Sequence, residues 1–149
     1  MTDRKPQRKD WMSLFAKAAE DRLAELWQAA AMAPDFTWLR RPESGAVMLR
    51  GLAGGQGAPF NLGEMTVTRA SVRLAGGQVG HGYVAGRSKR KAEIAALCDA
   101  LMQDPAAAPA VEAAILGPLA REAEAAAAKR AAKAAATKVE FFTMQRGED

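Results

Sequence analysis

The stretch from Glu64 to Ala85, EMTVTRASVRLAGGQVGHGYVA, carries the strongest strand pattern in the chain. Two runs of alternating apolar and polar residues flank Gly76-Gly77, and paired glycines permit the positive φ angles of a tight hairpin turn. The alternation changes phase inside the first run, since Val67 and Val72 have opposite parity. The pattern therefore predicts an antiparallel hairpin with a β-bulge near residues 68–70.

The same hairpin holds the only histidine of the chain, His81. It alternates in phase with Val79, Tyr83 and Ala85, which favours a packed, hydrogen-bonded histidine. As a metal ligand it lacks companions, because no second histidine exists and the one cysteine, Cys98, belongs to the segment after the hairpin. No partner for a catalytic histidine can be named either. The residues predict no catalytic group and no metal site.

A helix is predicted directly after the hairpin, with Ser88 as its N-cap. Its apolar residues recur at i, i+3, i+4 and i+7, the spacing of a core-facing stripe: Ile94, Leu97, Cys98 and Leu101. Cations crowd the positive end of this helix, where the dipole disfavours each by about 0.3–1 kcal/mol. The candidates for anion or partner contact, two of them on the first strand of the hairpin, are Arg69, Arg73, Arg87, Lys89 and Arg90.

Two interpretations of this basic corner remain open. Exposed helix N–H groups together with cations bind an anion or an acidic protein surface well. The alternative is a solvated helix end whose charges are screened at physiological salt.

Upstream of the hairpin, the pattern predicts one helix and two more strands. Asp10 can cap a helix that continues to about Met32. The segments FTWLR (36–40) and AVMLRG (46–51) predict strands joined by a turn at residues 42–45.

The glycine-rich segment 52–63, LAGGQGAPFNLG, follows these strands. It lacks the Gly-Lys-Ser/Thr ending that places a lysine and a hydroxyl on phosphate and magnesium. A flexible connection is predicted here rather than a nucleotide-binding loop.

The last third of the chain predicts a long alanine-rich helix with Pro118 at its first position, after a break at Gly117. About 18 residues at 1.5 Å each make a rod of roughly 27 Å. The rod is followed by an apolar tip whose candidate subunit-interface residues are Val139, Phe141, Phe142, Met144 and Arg146. Either the tail folds back on its own sheet, or it projects this tip into another subunit.

The composition excludes several classes of protein. The chain has 149 residues, which is long enough to form one hydrophobic core. Its net charge is +4 and it has no long basic run, so nucleic-acid binding is not favoured. One cysteine excludes an internal disulfide framework and fits a reducing compartment. No apolar signal segment is visible, and the alanine-rich region is interrupted by prolines and charges. A cytoplasmic protein without a membrane span is expected.

Three blocks of the sequence, in order, resemble the PhnG family, the G subunit of the carbon–phosphorus lyase core complex of bacterial phosphonate breakdown. They are DWMSLFA (10–16), TVTRASVRLAGGQVGHGYVAGRSKRKAEIAALCDALMQ (66–103) and KVEFFTMQRGED (138–149). The most distinctive parts are Phe141-Phe142-Thr143-Met144, Arg146-Gly147, Thr68-Arg69-Ala70 and Gly86-Arg87.

The resemblance implies a function within an assembly. In that family the G, H, I and L subunits together support attack of an alkylphosphonate on the ribose C1 of MgATP, so that adenine leaves and a ribose 1-phosphonate 5-triphosphate forms. The I subunit is nucleosidase-like, and the J subunit later breaks the carbon–phosphorus bond. The G subunit has no catalytic residues to transfer to this chain. Its implied partners are chiefly the I subunit, with H, J and L, and MgATP is a substrate of the complex rather than a cofactor of this chain.

These observations together predict an α+β protein with an antiparallel sheet of about four strands. An N-terminal helix, a middle helix and a long C-terminal helical arm complete it. A single domain spanning residues 1–149 is expected, with a core at 10–105 and the arm at 106–149. The predicted function is that of a non-catalytic but required subunit of a phosphonate-processing transferase complex. The alternative is a small anion- or nucleic-acid-binding module that uses the basic residues named above.

Overall fold

The computed structural model describes residues 7–139 of the chain. The helices are α1 (Arg8–Lys17), α2 (Glu20–Ala30), α3 (Lys89–Met102), α4 (Ala108–Val111) and α5 (Gly117–Ala136). The strands are β1 (Phe36–Leu52), β2 (Pro59–Leu74) and β3 (Val79–Ala85). A 3-10 turn at Ala53–Gly55 and a π-helical turn at Glu112–Leu116 complete the described part. The α+β class predicted from the sequence is confirmed.

The sheet has three antiparallel strands in the order β1-β2-β3, one fewer than predicted. The two strands expected at 36–40 and 46–51 form the single strand β1, which passes through the expected turn at 42–45. Pro42 lacks an N–H group, but β1 is an edge strand, where a missing donor is tolerated. The true hairpin turn lies at 53–58, and most of the expected flexible loop is ordered as this turn and the start of β2.

The bulge predicted near residues 68–70 of β2 lies in the opposite strand. β2 and β3 pair without interruption from Val67 opposite Ala85 to Arg73 opposite Val79. In β1, three residue steps from Arg40 to Glu43 face only two steps from Ser71 to Arg69. A further extra residue lies between Trp38 and Arg40, which face the adjacent residues Val72 and Ser71. The irregularity therefore lies in β1, and local periodicity in β2 could not assign it to either strand.

The core lies between one face of the sheet and the helices. Ala70, Val72 and Leu74 of β2 are buried with Val84 of β3 against α3. All four apolar stripe residues predicted for α3 are buried, and α1 and α2 add Phe15, Leu23, Leu26 and Trp27. Alternation along β2 directs the other side chains to the opposite sheet face, called here the outer face, which no helix of the described residues covers.

The predicted single N-terminal helix is two helices. Ala18 and Ala19 have extended backbones, with ψ of 147° and 140°, and separate α1 from α2. Asp10 is not the N-cap, because Gln7 takes that position and donates its backbone N–H to the Asp10 carboxylate at 2.9 Å. The break allows both short helices to pack on the core, which one straight helix with the same apolar spacing could not do.

The predicted break at Gly117 is absent, since its φ of −57° and ψ of −52° are helical. The chain is helical from Ala108 to Ala136, and the Gly117 N–H donates to the Glu112 carbonyl across the π-helical turn. This wider turn directly precedes Pro118, whose ring would crowd the carbonyl four residues back in a regular α-helix.

The alanine-rich helix leaves the core early. Val111, Ile115, Leu116 and Leu119 are buried, whereas every residue from Arg121 to Val139 is exposed. Of the predicted tip, Val139 is 68% exposed, and Phe141, Phe142, Met144 and Arg146 lie outside the described residues. Among residues 7–139, no helix is both long and apolar enough to cross a membrane.

Candidate functional site

The outer face of the sheet is polar and basic where all three strands are present. Arg69 lies opposite Tyr83, Ser71 opposite His81, and Arg73 opposite Val79. Cross-strand neighbours share a face, so these side chains form one exposed surface. The structure thereby brings together two of the predicted contact residues, Arg69 and Arg73.

A three-membered ion cluster occupies the β1 side of this surface. Arg69 Nε donates to Glu43 Oε1 at 2.8 Å, and Arg40 Nη1 donates to the same oxygen. The hydrogen bond from Arg40, then that from Arg69, hold the pKa of Glu43 below its usual value. Arg69 is therefore partly neutralised, while Arg73 makes no ion pair with any described residue.

The other predicted cations lie at the β3–α3 corner. Gly86 turns the chain with a φ of +89°, and Ser88 caps α3 by accepting from the Lys91 N–H at 3.0 Å, as predicted. Arg90 pairs with Glu93 at 3.5 Å, and neither Arg87 nor Lys89 has an ion-pair partner in the described part of the chain.

Two open depressions meet at residues 44–46 of β1. Arg69 and Tyr83 line one of about 150 Å³ on the outer face, and Arg87 and Thr66 line the other, of about 340 Å³. Arg69 on β2 and Arg87 in the β3–α3 turn therefore flank the same short segment of β1. Arg73, Lys89 and Arg90 do not line either depression.

Lys91, the last cation of the corner, has a structural use. It is largely buried, and its Nζ donates to the Ala16 carbonyl at 2.7 Å, where α1 needs a partner for its last turn. Burial lowers the pKa of Lys91. This cation ties α3 to α1 rather than facing a ligand.

The glycines on either side of His81 serve packing. A Cβ at Gly80 would lie 2.0 Å from the Ala96 carbonyl oxygen, and one at Gly82 would lie 2.1 Å from that of Ala92. The glycines thus let the backbone of α3 rest directly on β3. A phosphate-binding role for this glycine-rich stretch is not needed to explain them.

His81 is exposed, so the prediction of a packed histidine is wrong, whereas the predicted hydrogen bond is present. Its Nδ1 lies 2.8 Å from Ser71 Oγ on the outer face. The core side of β3 is instead formed by Gly80, Gly82 and Val84. The sequence pattern assigned the larger side chains of β3 to the core. The buried positions are instead mostly glycines, which have no side chain to indicate burial.

A buried carboxylate that sequence reasoning missed lies behind His81. Asp99 of α3 is fully buried and accepts from Arg8 Nε (3.0 Å), Arg8 Nη2 (2.7 Å), Trp11 Nε1 (2.9 Å) and the His81 backbone N–H (2.8 Å). The hydrogen bonds that Arg8 donates to Asp99 raise the pKa of the guanidinium group of Arg8. All acceptor positions are used, so this carboxylate joins α1, α3 and β3 and is not free for proton transfer. Its signal in the sequence was a single acid within the otherwise apolar run 95–102, AALCDALM.

The remaining reactive side chain is also inert. Cys98 is buried, and burial raises the pKa of its thiol, which keeps it protonated and unreactive. No cluster of three or more metal-ligating side chains occurs within residues 7–139.

The described part of the chain is thus a small α+β fold with one sheet face that is exposed, polar and basic. The chain belongs to the family of the phosphonate metabolism protein PhnG, whose sequence model matches residues 6–147. A curated relative from Rhizobium meliloti (strain 1021) is named alpha-D-ribose 1-methylphosphonate 5-triphosphate synthase subunit PhnG. It is 47% identical over 143 residues, covering 96% of this chain and 91% of the relative.

Proposed function

We propose that this chain is a required, non-catalytic subunit of an alpha-D-ribose 1-methylphosphonate 5-triphosphate synthase that acts in phosphonate catabolism. The observation that carries the proposal is the alignment with the synthase subunit of Rhizobium meliloti, which is 47% identical and spans nearly the full length of both chains. Because the alignment covers almost the whole of both chains, we expect the two proteins to share their interaction surfaces. The alternative of an independent anion- or nucleic-acid-binding module is not favoured.

The reaction supported by the complex is transfer of an alkylphosphonate onto ribose C1 of MgATP. A phosphonate oxygen forms the new bond to C1, and the bond from C1 to adenine breaks. This chain supplies neither a cofactor nor a catalytic residue in the proposal. The engaged Asp99 carboxylate and the buried Cys98 thiol support a non-catalytic role.

The proposed partners belong to the cytoplasmic carbon–phosphorus lyase core complex, chiefly the nucleosidase-like I subunit, with H, J and L. The apolar tip is the proposed anchor, formed by Val139, Phe141, Phe142, Met144 and Arg146. The exposed helix from Arg121 onwards supports this, because its described side chains add nothing to the core.

The basic residues are proposed to meet carboxylates on a neighbouring subunit rather than a substrate phosphate. They lie on three elements, the strand β2, the β3–α3 turn and the first turn of α3. A spread of cations suits a broad acidic surface better than one compact anion. The residues concerned are Arg69, Arg73, Arg87, Lys89 and Arg90.

Gel filtration with light scattering tests the subunit function. The chain is purified alone and after co-expression with the I subunit. A defined mixed complex is expected with the partner, and poor yield or aggregation is expected alone, since unpartnered apolar surface favours self-association. A soluble monomer that elutes separately from the I subunit and from the H, J and L subunits would overturn the proposal.

A further inference from the structure

The hairpin of β1 and β2 extends well beyond the rest of the sheet. The last paired residue of β3 is Ala85, opposite Val67, so β1 from Ala46 and β2 up to Met65 pair only with each other. We call this two-stranded part, residues 46–65, the ribbon. Its length is roughly 20 Å at about 3.4 Å per residue. Ribbons of two strands are at best marginally stable in water without a surface to pack on.

The two faces of the ribbon differ in chemistry. Val47 lies opposite Met65, and Leu49 opposite Gly63. A Cβ at Gly51 would lie 2.3 Å from Leu62 Cδ1, which places the Leu62 side chain over the same face. The face so formed, called here the apolar face, consists of Val47, Leu49, Phe60, Leu62 and Met65.

The opposite face of the ribbon is mixed. It pairs Ala46 with Thr66, Met48 with Glu64, and Arg50 with Asn61. Most large apolar residues of the ribbon lie on the apolar face, and the exceptions on the opposite face are Met48 and Leu52, each 53% exposed. A ribbon surrounded by water on both sides would have no reason for this bias. The asymmetry points to a covered face and a solvated face.

The described chain does not cover the apolar face. Leu49 is 39%, Phe60 47%, Leu62 63% and Met65 36% exposed. Contiguous exposed apolar residues rimmed by polar ones mark interaction sites. Tyr83, which is 48% exposed, continues the surface towards the basic part of the sheet, since it lines the depression that also contains Val47 and Arg69.

Charge indicates the kind of partner. Next to the apolar face, the outer face carries Arg40, Arg69 and Arg73, with Glu43 as the one paired acid among them. A second copy lying along the whole outer face would set these cations against cations or against apolar residues, whichever way it is turned. A different chain that presents apolar residues beside carboxylates can pack on the apolar face and pair with the cations of the basic face at the same time.

We infer that the apolar face and the adjacent basic face form one docking surface for a different protein chain with an apolar strip bordered by acidic residues. This inference rests on the proposed subunit function, because it assumes that another subunit of the synthase is the partner. It adds a second attachment point at the end of the sheet, built from residues other than those of the C-terminal tip.

A matched pair of single substitutions tests the surface. Leu62→Glu places a charge on the apolar face, and Met48→Glu places the same charge on the opposite face at similar exposure, 63% against 53%. Each full-length variant is co-expressed with the I, H, J and L subunits, and the co-purified complex is measured. Leu62→Glu is expected to lower complex yield at least tenfold, and Met48→Glu less than threefold.

Arg73→Glu tests the basic half separately, since Arg73 has no ion-pair partner in the described chain to lose. Its association rate with the same subunits is expected to fall at least tenfold at low salt, and the difference from wild type is expected to shrink at 0.5 M salt. Phe60→Glu repeats the apolar test, and circular dichroism of each variant confirms that it is folded.

Several results would overturn the inference while leaving the subunit function intact. One is a wild-type complex that Leu62→Glu and Phe60→Glu, both folded, leave unchanged. Another is equal loss with Met48→Glu. A third is a wild-type dimer of the chain alone that Leu62→Glu dissociates, which would make a second copy the occupant. If the wild-type chain joins none of the subunits, the proposed function itself fails.

Discussion

Asp99 shows how a single buried charge is made tolerable and useful. A carboxylate with no exposure is costly unless its lone pairs are filled, and here four N–H groups from α1 and β3 fill them. The arginine that pairs with it is 44% exposed, so the positive charge keeps part of its hydration. The arrangement fixes α1 against the end of the sheet and leaves no proton acceptor free.

Asp99→Asn is expected to destabilise the chain by on the order of 3 kcal/mol, because an amide –NH₂ would face N–H donors in a buried site. For a chain of this size the melting temperature would fall by roughly 10 °C. Thermal unfolding followed by circular dichroism measures it. Asp104→Asn, in the turn after α3 and only partly buried, is the control and should melt near wild type. If both variants melted at the wild-type temperature, the buried network would contribute little to stability.

At the scale of elements, the contact between α3 and β3 depends on glycines rather than on interlocking side chains. Backbone oxygens of Ala92 and Ala96 occupy the space where side chains of a typical strand would lie. This close approach explains why α3 is buried along nearly its whole length, with alanines on the side towards the strand. The helix is a central layer of the fold instead of a surface helix with one apolar stripe.

Gly82→Ala is expected to cost about 1–3 kcal/mol of unfolding free energy, since the new methyl group would meet backbone atoms that cannot rotate away. Gly45→Ala is the matched control, because a Cβ there meets nothing within 4 Å. Urea unfolding of both variants measures the difference, with Gly45→Ala expected within about 0.5 kcal/mol of wild type. If Gly82→Ala unfolded at the wild-type urea concentration, α3 would have room to shift.

At the scale of the whole molecule, the helices within residues 7–139 cover one side of the sheet and leave the other side open. The open side carries the basic face and the apolar face of the ribbon, and the exposed part of α5 extends from the helical side. In the proposed assembly, other subunits of the synthase cover this open side. Its own fold needs only the core between the inner sheet face and the helices.

Removal of residues 139–149 is expected to abolish assembly with the other synthase subunits while the melting temperature stays within about 3 °C of wild type. The reason is that the described helix from Arg121 onwards contributes no buried residue to the core. Gel filtration of co-expressed subunits and circular dichroism measure the two effects. A Gly-Ser segment of equal length in place of 139–149 separates loss of sequence from loss of length. A large fall in melting temperature would mean that the tail packs on its own domain.

Local sequence was sufficient for the α3 stripe, the Ser88 cap, the β2–β3 hairpin, the α+β class and the family, because each depends on neighbouring residues or on whole-chain similarity. Tertiary structure alone decided that β1 continues through Pro42 as one strand. Pairing with β2 on both sides of Pro42 outweighs the local preference of residues 42–45 for a turn. Tertiary structure also decided the phase of β3, where close helix packing makes glycine the inward residue, and the use of Asp99, whose partners are up to 91 positions away. Pairing between distant residues and close backbone contact do not produce a periodic pattern within one segment of sequence. These features could therefore be known only from the folded chain.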